Sequence, residues 1–204
     1  MATYIIVSII AYLLGSISFS VIFSKKLAGF DVREKGSGNA GTTNVLRTVG
    51  KKAAALTLLC DCLKGVFAVL VAFIAGKIVK DTDSSLLVQL AGIFVVLGHT
   101  FPVFFKFKGG KGVASTFGFI LVTCWPVAVI ALGIWLVMAF AFRYSSLSAL
   151  TAAVFVPVAS YFLAPSLEYT VVYALVVLLV IVRHHGNIRR LLNGEESKIK
   201  LKKQ

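Results

Sequence analysis

VASTFGFILVTCWPVAVIALGIWLVMAFAF, residues 113–142, decides how this chain is folded. Thirty residues without a charge are more than one helix needs to cross a hydrocarbon core, which takes about 20 residues. Near the middle, Trp125-Pro126 joins an interfacial aromatic to a residue that cannot continue a helix. The stretch therefore reads as two short membrane helices joined at that dipeptide. Working outward, apolar runs of spanning length lie at Tyr4–Phe23, Ala53–Ala75 and Leu86–Phe105 on one side. Ser145–Ala164 and a last, shorter run from Pro165 or Tyr169 to Val182 lie on the other. The expected fold is an all-α integral membrane protein of seven transmembrane helices, residues 1–204 forming a single transmembrane domain.

Composition agrees with a membrane setting. Hydrophobic residues make up 58% of the 204, charged residues only 14%, and the mean hydropathy is +0.93, values outside the range of soluble domains. The net charge of +13 admits nucleic acid, anionic lipid or an anionic substrate as partner, and charge placement separates these. With seven spans, the basic residues of 25–52 (Lys25, Lys26, Arg33, Lys35, Arg47, Lys51, Lys52), Lys106, Lys108, Lys111, Arg143 and the tail (Arg183, Arg189, Arg190, Lys198, Lys200, Lys202, Lys203) all fall on one side. Lys77 and Lys80 lie opposite, and Lys64 lies inside a span. Lys and Arg favour the cytoplasmic side, so the N-terminus is expected outside and the C-terminus in the cytoplasm. No basic region precedes the first apolar run, which reads as a retained helix and not a signal peptide. Cys60, Cys62 and Cys124 fall in or beside spans without metal-ligand spacing. No metal and no cofactor is expected, and no nucleic acid.

Chemistry collects in two basic, glycine-rich loops on the cytoplasmic side. In Gly36-Ser37-Gly38-Asn39 the glycines let backbone N–H groups turn toward an anion, and Ser37 and Asn39 add short donors. Thr43, Asn44 and Arg47 follow. Asn44 and Arg47 share a face if the segment is helical, and Arg grips phosphate bidentately. The competing reading is a glycine-rich topology loop. In the second loop Lys106, Lys108 and Lys111 flank Gly109 and Gly110, and Gly112 opens the next helix, where N–H groups and the dipole favour an anion. GxxxxGK[ST] is absent, so nucleotide hydrolysis gains no support. Lys106 reads equally as a snorkelling topology charge.

Three other groups stand out. His99 is as consistent with a hydrogen bond inside the bundle as with catalysis. Asp61 and Lys64, at i, i+3 inside a span, can pair, for structure or for substrate. His184-His185-Gly186-Asn187-Ile188 begins as the last helix leaves the membrane, bringing titratable and amide groups to the loops. Gly-x-Ser-x-Gly, His-Glu-x-x-His and His-x4-Asp are all absent. The main rival reading is a small transporter or flippase for a phosphorylated solute, whose path should be lined by polar groups at midplane, where only Asp61 and Lys64 lie. A scaffold docking anionic lipid leaves the glycine and asparagine donors without a purpose.

Together, GSGNAGTTNVLR (36–47), GHTFPVFFKFKGGKGVA (98–114) and HHGNIRRLLNGEE (184–196), with Asp61-x-x-Lys64-Gly65, resemble the bacterial acyl-phosphate:glycerol-3-phosphate acyltransferases over the whole chain. The resemblance implies transfer of a fatty acyl group from acyl phosphate to the sn-1 hydroxyl of glycerol 3-phosphate at the inner membrane, giving lysophosphatidic acid and inorganic phosphate. It also implies association with an enzyme that produces acyl phosphate. On this reading Ser37, Lys111 and His184 are the catalytic candidates, and Gly36, Gly38, Asn39, Thr43, Asn44, Arg47, Lys108, Gly109, Gly110, Gly112 and Asn187 the substrate-binding ones. Arg47, Lys111, Asn187 and the Ser37 region are expected to hold glycerol 3-phosphate, and the 109–112 loop with nearby lysines the acyl phosphate. Acyl phosphate is already activated and no strong protein nucleophile is evident, so direct attack by the glycerol hydroxyl is expected. The proton goes to His184 or to a phosphate oxygen.

Overall fold

The computed structural model describes residues 1–199; Lys200, Lys202 and Lys203, counted above among the tail charges, lie outside them. All regular structure among the described residues is helical. Two units are formed, residues 1–123 and the residues from Cys124 onward.

The first unit contains α1 (Ala2–Gly15), α2 (Phe19–Ala28), α3 (Thr42–Thr48), α4 (Lys51–Ile78), α5 (Ser84–Thr100) and α6 (Val113–Thr123). The expected run Tyr4–Phe23 is one apolar segment, Ala2–Ala28, but it is interrupted at Ser16–Ser18. α1 packs on α5, and α4 on both α5 and α6. Lipid offers no hydrophobic drive between helices, so close backbone approach must supply the attraction. Glycines permit it: a Cβ at Gly15 would strike the Val95 carbonyl, one at Gly98 the Tyr12 carbonyl, one at Gly65 the Ser115 carbonyl and one at Gly118 the Cys62 carbonyl.

The second unit contains α7 (Trp125–Phe142), α8 (Ser145–Leu163), α9 (Leu167–Arg183) and α10 (His185–Leu192). The break between α6 and α7 falls at Cys124, one residue before Trp125-Pro126, with Pro126 in the first turn of α7, where its missing N–H costs nothing. α7 is apolar on every face and largely exposed, the surface of a helix that meets lipid. α7 packs on α8, and α8 on α9.

Among the described residues, five helical segments are long and apolar enough to cross a membrane, and α9 with α10, bent by 57°, makes a sixth if the pair is one span. The two halves of 113–142 prove unequal. α6 has 11 residues, about 16 Å at 1.5 Å per residue, roughly half a hydrocarbon core. Gly112 at its start and the break at Cys124 set that length.

Candidate active site

Asn44 organises the first basic loop. It sits in the first turn of α3 with 2% of its surface exposed. Its amide donates to the carbonyls of Val32 (2.8 Å), Lys35 (3.0 Å) and Asn39 (3.1 Å), and its Oδ1 accepts the Ser37 N–H at 3.0 Å. Asn44 was expected as a substrate contact. Its polar atoms are instead spent on four backbone groups, because a buried irregular loop needs an internal partner for each. The open nest of N–H groups expected at 36–39 is also altered, since the Gly38 N–H donates to the Lys35 carbonyl at 3.2 Å. Gly36 is left-handed (φ 62°), and a Cβ there would strike Asn44 Oδ1. What the loop presents outward is the exposed Ser37 side chain, with Arg47 exposed at the end of α3 and Asn39 and Thr43 half-buried.

The second loop is attached to the interruption of the first apolar segment. Tyr12 donates its hydroxyl to the Phe101 carbonyl at 2.8 Å, and the Val103 N–H reaches Ser16 Oγ at 3.4 Å. Gly109 and Gly110, expected to turn N–H groups toward phosphate, are buried. The Gly109 N–H donates to the Thr100 carbonyl (3.2 Å) and the Gly110 N–H to the His99 carbonyl (3.1 Å). A Cβ on Gly110 would strike His99 Nε2 and come 2.7 Å from the Ala40 carbonyl of the first loop. These glycines therefore serve close packing of the two loops. Anion-binding capacity resides in the exposed Lys108, in the half-buried Lys111 and at the start of α6, where Gly112 (φ 88°) leads into a first turn whose N–H groups have no helical acceptor.

Arg33 ties the loops together, a role its sequence position disguises as a topology charge. Its Nε and one terminal nitrogen donate to the two oxygens of Asp31 at 3.0 and 2.7 Å. The other terminal nitrogen donates to the carbonyls of Phe105 (2.8 Å) and Lys108 (3.2 Å). Phe105 also packs against the small core of Val21, Val32, Ala40, Val45, Ala53 and Ala54 beneath the first loop. The hydrogen bond from Arg33 holds the Asp31 carboxyl below the usual carboxylate range, against the opposing effect of burial. Asp31 also caps the 3-10 turn Val32–Glu34 through the Arg33 N–H.

Asp61 and Lys64 do pair within α4, at 2.9 Å, and both are buried. Lys64 Nζ also donates to the carbonyls of Gly15 and Ile17, each at 2.9 Å. These lie at the interruption between α1 and α2, where helical acceptors lose their donors. The ammonium thus caps a broken helix inside the membrane, and Asp61 supplies the counter-charge. His99 Nδ1 lies 3.6 Å from the same Asp61 oxygen.

In the second unit the third motif folds around the carboxylate of its own last residue, Glu196, to which the sequence assigns no role. Glu196 Oε1 accepts from Ser146 Oγ and Asn187 Nδ2, both at 2.7 Å, and its Oε2 accepts from Arg190 Nε at 2.7 Å. Burial pushes the Glu196 carboxyl up, but the three hydrogen bonds outweigh it and hold the group below its usual range. The Gly194-x-Glu196 spacing was the available signal, since Gly194 (φ 73°) turns the chain back after α10. Asn187, expected to bind substrate, is buried with its amide on Glu196. His184 is buried, with Nδ1 2.7 Å from the Val180 carbonyl.

The geometry of two clamped basic loops in a helical membrane protein has close counterparts. A solved structure of the integral membrane glycerol 3-phosphate acyltransferase PlsY (YgiH), in its glycerol 3-phosphate form, superposes with a TM-score of 0.88 at 38% identity, covering 97% of this chain and 96% of that one. Its lysophosphatidic acid form gives 0.86 at 36% identity, with coverage of 97% and 95%. The glycerol-3-phosphate acyltransferase of Mesorhizobium japonicum is 50% identical over 96% of this chain and 95% of its own length. That of Bartonella henselae is 48% identical over 95% and 90%. The family model described as glycerol-3-phosphate acyltransferase matches residues 5–194. With the first two motifs and all but the last two residues of the third inside that span, the chain belongs to the glycerol-3-phosphate acyltransferase family of bacterial membrane enzymes.

Proposed function

We propose that this enzyme takes its acyl group from acyl phosphate and transfers it to the sn-1 hydroxyl of glycerol 3-phosphate, forming lysophosphatidic acid and inorganic phosphate. The observation that carries this reading is the joining of two basic loops by Arg33, which brings lysines at 108 and 111 and the Ser37 loop into one unit. Two phosphate-bearing reactants need such a pair of cationic loops, and one of them also needs an apolar berth. A wholly apolar groove of about 260 Å³, lined by Ile10, Leu13, Leu14, Ile17 and Phe104, is available in the same unit. The glycerol 3-phosphate and lysophosphatidic acid forms of PlsY support the same acceptor and product.

In the step proposed, the glycerol oxygen attacks the acyl carbonyl carbon, the bond from that carbon to the phosphate oxygen breaks, and phosphate leaves with the electron pair. The hydroxyl proton goes to a phosphate oxygen of the leaving group. Arg47 and Lys111 with the Ser37 loop hold glycerol 3-phosphate; Lys108, Gly112 and the start of α6 hold the acyl phosphate and stabilise the developing charge. Holding both reactants in line supplies on the order of 7–11 kcal/mol, and an activated donor removes the need for an acyl-enzyme.

For topology we read seven membrane segments in the inner membrane, with α6 as a short crossing and α9 continued by α10, the N-terminus outside and the loops in the cytoplasm. The crowding of Lys and Arg into the loops supports this orientation. The 1–204 chain acts as one acyltransferase domain, and docking of an acyl-phosphate-producing enzyme would shorten the path of a reactive donor. The test is to give purified enzyme labelled glycerol 3-phosphate with either acyl phosphate or acyl-CoA. Product is expected from acyl phosphate alone, and equal rates from acyl-CoA would refute the donor assignment.

A further inference from the structure

Two successive residues that are not glycine, Lys106 (φ 57°) and Phe107 (φ 58°), adopt the left-handed conformation at the apex of the second loop. L-residues rarely do so, and two in succession need an external hold. Neither side chain supplies one, since both are exposed. Within the loop, the Phe105 and Phe107 N–H groups donate to the Pro102 carbonyl at 3.1 and 2.9 Å, and the Lys108 N–H to the Phe105 carbonyl at 3.3 Å. The remaining hold comes from outside. Arg33 donates to the carbonyls of Phe105 and Lys108, the residues on either side of the strained pair. Its guanidinium lies over the Phe105 ring at 5.9 Å and is itself fixed at two points by Asp31.

We infer that Asp31 and Arg33 are positioning residues for acyl transfer: they lock the strained 105–108 turn and so fix where the Lys108 ammonium, and three residues later Lys111, meet substrate phosphate. The inference rests on the reading above, in which these lysines receive the phosphates. Four N–H bonds leave Arg33 in fixed directions. A lysine ammonium cannot grip two carboxylate oxygens and two carbonyls in that plane, so Arg33→Lys should fail although it keeps the charge. The turn relaxes if glycine replaces a strained residue, because glycine enters the left-handed region without cost. Phe107→Gly should therefore lessen the need for the clamp.

The experiment compares wild type, Arg33→Lys and Arg33→Met, each with and without Phe107→Gly, in purified enzyme. Arg33→Lys and Arg33→Met are expected to raise KM for glycerol 3-phosphate or acyl phosphate about tenfold or more with a smaller change in kcat, the pattern of lost binding. Amide exchange of residues 102–110 should accelerate about tenfold while α4 exchanges as in wild type. Phe107→Gly alone should stay within about twofold of wild type, and in its background the Arg33→Lys penalty should shrink to about threefold or less. Wild-type KM and loop exchange in Arg33→Lys would overturn the inference. An undiminished penalty beside Phe107→Gly would do the same, as would exchange that rises equally in α4, the mark of a general stability role. Absence of acyl transfer by wild type would sink the functional reading instead, and the exchange measurements would still judge the clamp.

Discussion

Replacing Asn44 with aspartate changes one NH2 to an oxygen and almost nothing in volume, yet it should disable the first loop. In the wild-type protein two amide hydrogens serve three carbonyls, of Val32, Lys35 and Asn39, inside a site that is 2% exposed. Aspartate turns an acceptor toward all three and, of the four side-chain bonds, keeps only the one from the Ser37 N–H. Each carbonyl keeps one backbone donor, from the Lys35, Gly38 and Gly41 N–H groups, so the loss is that of three side-chain hydrogen bonds at about 0.5–1.5 kcal/mol each, about 1.5–4.5 kcal/mol together. Against a typical stability of about 5–15 kcal/mol, such a loss is large. The assay is thermal unfolding of purified protein in detergent alongside steady-state kinetics, with Asn44→Gln as a longer amide that keeps the donors. Asn44→Asp should lower Tm clearly and abolish activity through loss of the Ser37 conformation. An unchanged Tm with only a raised KM would refute the reasoning and return Asn44 to the role of substrate contact.

Other perturbations test neighbouring parts of the structure. Gly110→Ala pushes a methyl against His99 and the Ala40 carbonyl; overpacking of this kind costs about 1–3 kcal/mol, read as a lower Tm together with lost activity. Lys64→Met leaves Asp61 buried without its counter-charge and uncaps Gly15 and Ile17, a loss of about 3–5 kcal/mol that Asp61→Asn/Lys64→Met should partly restore in the same unfolding assay. The depressed Glu196 carboxyl stabilises the folded state fully above the ordinary glutamate value near 4.3, and that contribution fades as pH falls through its lower folded value. Glu196→Gln should flatten the acid limb of the stability curve between about pH 5 and 3, measured by Tm against pH.

How much of this was legible in sequence follows from what each signal encodes. Apolar length and the Trp125-Pro126 breaker report on one element at a time, and the break between α6 and α7 falls within a residue of that dipeptide. Spacing at i, i+3 likewise revealed the Asp61–Lys64 pair. The interruption at Ser16–Ser18 has no proline or charge to announce it, and Lys64, which caps it, lies far along the chain. Asn44 and Arg33 were visible as donors, but spacing gives no direction to a side chain in a loop; both turn inward to backbone carbonyls. Gly109 and Gly110 read as phosphate-binding glycines because the same residue serves an anion nest and a tight contact, and only the neighbouring His99 and Ala40 decide between the two. Glu196 stands in the third motif as a residue without a role, because its role depends on three partners brought to it by folding.

The central claim is that the loops align two phosphate-bearing reactants for direct transfer, with no acyl group ever resting on the protein. Enzyme mixed with acyl phosphate carrying a labelled acyl chain, in the absence of glycerol 3-phosphate, tests it most directly. No covalent label and no burst of phosphate is expected until glycerol 3-phosphate is added, whereupon phosphate and lysophosphatidic acid appear one for one. A burst of phosphate stoichiometric with enzyme before the acceptor arrives, together with a hydroxylamine-sensitive acyl label on Ser37, would contradict it.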